Sequence, residues 1–137
     1  MDEYQLQLRI QDRGGASADI RERSYQFAAD IVRLCRYLEK TSEVPRAVTN
    51  QLLRAGTSIG ANLEEAQAGQ SKSDFVHKNS ISLKEARESR YWLRLILETA
   101  DFQGRVKTSV ERLRDESWEL ALIIGKIIVN AKQRSSS

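Results

Sequence analysis

Val48, Leu52, Ala55, Ile59, Leu63 and Ala66 stand four, three, four, four and three residues apart. That is the period of an α-helix with one apolar face, and a strand cannot hold it. The stretch from Arg54 to Phe75 closes this helix, turns, and opens the next. Gly56 and Gly60 lie inside the helix, where each costs about 1 kcal/mol against alanine. The compensation expected is close approach of a neighbouring helix, with the small, polar middle of the following helix as that neighbour. Asn62 and Glu65 flank the apolar line and are expected half-buried, because a buried carboxylate needs a hydrogen-bond partner. Ser82, Glu85 and Ser89 on the following helix are the candidate partners. Gly69 fits the position just past a helix end. Ser71 or Ser73 then caps the next helix, with Asp74 in its first turn.

The same period recurs on both sides. A first helix is expected over residues 18–40, capped by Ser17 or Asp19, with Ile20, Phe27, Ile31, Leu34, Cys35 and Leu38 as its stripe. Thr41 to Val44 make a turn, and Pro45 suits the first position of the second helix, where its missing donor costs nothing. The third helix is expected over 73–99, with Phe75, Asn79, Ser82, Ala86, Leu93 and Leu97 on its main face. A second line on it holds Ile81, Glu88, Trp92 and Leu95, and a third holds Lys84, Arg87, Tyr91 and Arg94. The fourth helix is expected over 105–132, with Val106, Val110, Leu113, Leu120, Ile124 and Ile128 inward. Trp118, Leu122 and Val129 fall on another side of it. Four amphipathic helices joined by short turns make an all-α, antiparallel, up-down-up-down four-helix bundle over residues 20–132.

Residues 1–19 read as an N-terminal arm and linker, and 133–137 as a frayed tail. Tyr4, Leu6, Leu8 and Ile10 alternate with polar residues, a strand signal with nothing internal to pair with. The arm is disordered, pairs with a partner subunit, or lies across the bundle. Its start has neither the basic end nor the apolar core of a signal peptide, and no apolar run reaches membrane-spanning length. The single cysteine, Cys35, cannot form an internal disulfide and suits a reducing cytoplasm.

Candidate chemistry is sparse. Asp74 and His77 form one D-x-x-H pair, but the chain holds a single histidine, so no metal site and no cofactor are expected. Glu64 and Glu65 are adjacent and point about 100° apart on a helix, so they cannot share a site. With no phosphate-cradling loop and no nucleophile–base order, no catalytic residue is assigned and an enzyme is not expected.

The run from Ala61 to Leu95 carries A-N-x-x-E-A, then S-x-x-D-F, then K-E-A-x-E-S-x-Y-W-L. In this it resembles the bacterial four-helix bundle family encoded in intervening sequences of 23S ribosomal RNA genes. The accessory variability proteins of diversity-generating retroelements are relatives of that family. The resemblance covers roughly Arg21 to Ala131 and leaves the arm unexplained. It implies an antiparallel four-helix bundle. From the accessory relatives it implies a homopentameric ring with a basic surface that binds nucleic acid and a reverse transcriptase. It implies no catalytic residue.

Charge fits this mildly. Residues 1–68 hold nine Lys/Arg against ten Asp/Glu, and residues 69–137 hold 13 against nine. Lys84, Arg87, Tyr91 and Arg94 fall within about 80° of one another on a helix, a ridge for phosphates with Tyr91 as a stacking platform. The competing reading is a solvated charged face. Two apolar lines, Ile81–Trp92–Leu95 and Trp118–Leu122–Val129, suit a heterologous contact that closes into a ring. Two functions follow. One is a non-enzymatic, homo-oligomeric accessory protein that binds RNA or DNA with little sequence preference. The alternative is a protein–protein scaffold whose cations serve solubility alone.

Overall fold

The computed structural model describes residues 19–69 and 71–134, and among these all regular structure is helical. The helices are α1 (Ile20–Leu38), α2 (Arg46–Ala68), α3 (Lys72–Thr99) and α4 (Gly104–Gln133). The alternating segment expected in the arm lies outside the described residues, as does the end of the tail.

The helix starts follow local chemistry. Asp19 caps α1, its carboxylate accepting the Arg21 N–H at 3.0 Å. Ser71 caps α3, its hydroxyl accepting the Asp74 N–H at 3.1 Å. Pro45 sits one residue earlier than expected, as the cap before α2, with its carbonyl accepting from Val48 and Thr49. Gly69 does end α2, but in extended rather than left-handed conformation. Gly104 opens α4 at φ +60°, a backbone geometry that side chains disfavour.

Consecutive helices pack together and α1 also packs on α4; the diagonal pairs make no close backbone contact. Together with the short turns this is the expected four-helix bundle. Phe27, Ile31, Leu34 and Leu38 of α1 meet Leu52 and Ile59 of α2, Leu93 and Ile96 of α3, and Leu120 and Ile124 of α4 in one core. Each such side chain stabilises the fold by about 1.5–3 kcal/mol. Cys35 is part of it, and burial pushes its thiol up to about 12.

The glycines face a different helix from the one expected. A Cβ on Gly56 would lie 2.8 Å from Ile31 Cγ1, and one on Gly60 would lie 3.4 Å from the Ser24 backbone, both on α1. The sequence shows that a neighbour comes close but not which side of α2 it occupies. Contact with α3 runs instead through the buried Ser82, whose hydroxyl donates to the Ile59 carbonyl at 2.6 Å. Asn62 makes no hydrogen bond to α3: it donates to the Ser58 carbonyl of its own helix at 2.8 Å. Glu65 is exposed and pairs with Lys78 at 2.6 Å, so it needs no buried partner. The buried acid at this interface is Glu85, held by Arg54.

Candidate nucleic-acid interface

The middle of α3 carries paired acids toward α2 and, among the described residues, unpaired cations on its other side. On the α2 flank, Arg54 reaches across to Glu85 at 3.1 Å and also pairs with Glu88. Glu88 in turn accepts the Trp92 indole N–H at 3.4 Å. Trp92 is half-buried against the core, and Ile81 and Leu95 are half-buried too, so this line is less open than the sequence suggests.

On the other flank the cations face water. Lys84, Arg87, Tyr91 and Arg94 are all exposed, and the three cations have no ion-pair partner among the described residues. The expected ridge is therefore present as one open row. The rings of Tyr91 and Trp92 stand nearly perpendicular, centres 5.1 Å apart.

α4 runs alongside this row. The guanidinium of Arg90 lies 4.8 Å from the ring centre of Trp118, which fixes Trp118 beside the basic flank of α3. Trp118, Leu122 and Val129 are 44%, 56% and 53% exposed, an open apolar stripe along α4. Gly125 lies between them, with open space where a Cβ would be. The sequence treats ridge and stripe as separate features, whereas the structure brings them onto one α3–α4 face.

Further along the same face Tyr91, Arg94, Leu95, Leu97, Glu98 and Arg114 line an open cleft of about 400 Å³. Arg114 comes from α4, and its Nε donates to Asp115 at 3.0 Å. Arg90, Leu97, Glu98 and Arg114 are missing from the sequence-derived site. In an antiparallel pair, Arg114 lies one turn before Trp118 and so comes level with Arg94, a register that pairing Arg90 with Trp118 would have supplied.

Elsewhere α1 and α4 are clamped by Arg23, whose Nε donates to Glu116 at 3.1 Å. The hydroxyls of Ser89, Ser109 and Ser117 donate to carbonyls of their own helices. His77 is exposed. No described helix is long and apolar enough to cross a membrane.

The fold and its polar surface thus define a small helical bundle with one basic, partly apolar face. The chain belongs to the 23S rRNA-intervening sequence protein family, whose model matches residues 16–126. It is similar to a protein with unknown function from the S23 ribosomal protein family of Bacteroides thetaiotaomicron VPI-5482, known from a crystal structure. The two are 37% identical over 80% of this chain and 98% of that one, with a TM-score of 0.72. No curated protein matches the chain.

Proposed function

We propose that this protein is a non-enzymatic, homo-oligomeric accessory protein that holds RNA or DNA against its α3–α4 face, with little preference for sequence. The observation that carries the reading is the open row of Lys84, Arg87 and Arg94. Glu85 and Glu88 of the same helix are engaged by Arg54 on the far flank and do not neutralise the row. Cations presented this way bind phosphates and release counterions, so affinity falls steeply with salt. The apolar stripe of Trp118, Leu122 and Val129 supports assembly, and a ring of five copies is what the resemblance implies. Repetition around a ring would gather a modest charge per subunit into one strong field. A nucleic-acid enzyme such as a reverse transcriptase is the partner the resemblance suggests, and the buried thiol of Cys35 suits the cytoplasm.

The test is binding of mixed-sequence RNA and DNA across a salt series. Native protein should bind, with a slope of about −0.9 per duplex phosphate neutralised. Reversing Lys84, Arg87 and Arg94 to Glu should abolish binding while the helical signal persists. Native protein that ignores nucleic acid at low salt leaves the second reading, a protein–protein scaffold, which the exposed stripe on α4 favours.

A further inference from the structure

We infer that the cleft between Arg94 and Arg114 is a seat for one unpaired nucleotide of a bound strand. This rests on the reading of the α3–α4 face as a nucleic-acid surface and adds which form of nucleic acid it takes. Three groups of different chemistry converge there. Arg94 of α3 and Arg114 of α4 bring an arginine from each of the two helices to the lining. Arg114 spends only its Nε on Asp115, which leaves its two terminal nitrogens to donate to a phosphate. Glu98 is the single acid in the lining, and Asp115 stands beside the cleft as the partner of Arg114, so the site favours a phosphate through unfilled guanidinium donors rather than through net charge.

Beside these arginines Leu95 and Leu97 give the cleft apolar surface, and Tyr91 adds an aromatic ring that is 56% exposed. Trp92 stands nearly perpendicular to Tyr91, ring centres 5.1 Å apart, and limits where that ring can turn, so the platform is largely set before a ligand arrives. A phosphate held by arginines beside an aromatic ring with apolar neighbours is the arrangement that takes a base out of water. Bases in a duplex are stacked on each other and cannot enter. A single strand, a loop or an overhang can. The volume of about 400 Å³ is open enough for one nucleotide and does not enclose a longer segment.

The experiment compares a short mixed-sequence single-stranded RNA with the duplex of the same sequence, using the full chain. Native protein should prefer the single strand. Tyr91→Leu should lower single-strand affinity about tenfold more than duplex affinity, and Tyr91→Phe should restore it, since the ring and not the hydroxyl does the stacking. Arg114→Gln should act in the same direction. If native protein binds both forms and Tyr91→Leu weakens them equally or not at all, the cleft inference fails and the phosphate-binding row stands. If native protein binds neither form, both fall together. Adenosine monophosphate that binds as tightly as the strand would assign the cleft to a free nucleotide and overturn the strand reading.

Discussion

The Arg90 guanidinium lies over the Trp118 ring, 4.8 Å from its centre, and joins the charged flank of α3 to the apolar stripe of α4. A cation over an indole at an exposed site contributes about 0.5–1 kcal/mol. Arg90→Ala should lower thermal stability by a few degrees and shift tryptophan emission to longer wavelength. Unchanged emission and melting would mean that the contact does not persist in solution.

Gly125 offers a clean test of assembly. A Cβ there meets nothing within 4 Å, so Gly125→Ala should stabilise a lone subunit by up to about 1 kcal/mol through helix propensity. Gly125→Glu should leave the subunit folded but put a charge in the middle of the Trp118–Leu122–Val129 stripe. Sedimentation should then report a multi-subunit native protein and a monomeric variant. A native protein already monomeric at micromolar concentration ends the ring.

Gly56→Ala should go the other way. The added carbon would sit 2.8 Å from Ile31 Cγ1 and 2.9 Å from Cγ2, and Ile31 is fully buried. Overpacking of this kind costs about 1–3 kcal/mol and outweighs the helix-propensity gain. Urea denaturation should give a lower midpoint with an unchanged slope. The pair Gly56→Ala and Ile31→Ala should cost less than the sum of the two single changes, since both crowding atoms, Cγ1 and Cγ2, leave with the Ile31 side chain.

Arg54→Met should strand Glu85, whose side chain is only 10% exposed. Removing one partner of a buried polar pair costs about 1–3 kcal/mol, with the exposed half of Arg54 pulling the figure toward the low end. Adding Glu85→Gln should return most of it. Full additivity of the two substitutions would show that they do not interact.

Cys35 gives a pH signature. Its thiol is raised from 9.0 to about 12, chiefly by desolvation and secondarily by the charge of Glu39. Folded protein therefore keeps a proton that unfolded protein loses above pH 9, so stability should be constant below that point and decline as pH climbs toward 12. Cys35→Ala or Cys35→Ser should remove this component. A thiol reagent at pH 8 should label the native chain slowly and the urea-unfolded chain at once.

Helix number and helix faces were legible, and two caps were narrowed to pairs that include Asp19 and Ser71, because each depends on neighbours within four residues. The neighbour of Gly56 was not, because it depends on which side of α2 each helix takes. Asn62 turns back to the Ser58 carbonyl of its own helix, and Glu65 finds Lys78 on the expected helix in place of the expected serines, because register between helices is not carried by periodicity. Buried Ser24 and Asp30 interrupt the α1 pattern and escape any reading by apolar spacing. The exposed row on α3 could be read from its angular spacing alone. Its alignment with Trp118 and Arg114 could not, because register between two helices is set by packing and not by either sequence stretch separately.

The grip of Arg54 on Glu85 and Glu88 has a kinetic consequence. It ties Glu85 and Glu88 to the α2 side of α3 and leaves Lys84, Arg87 and Arg94, unpaired among the described residues, on the other, so the helix surface is electrically lopsided across its width. If the partner is the polyanion proposed above, such a body would experience a torque before it touches anything, and it would arrive with Lys84, Arg87 and Arg94 leading. Encounters would then be pre-aligned, and the rate of productive collision would rise without any gain in the strength of the final contact.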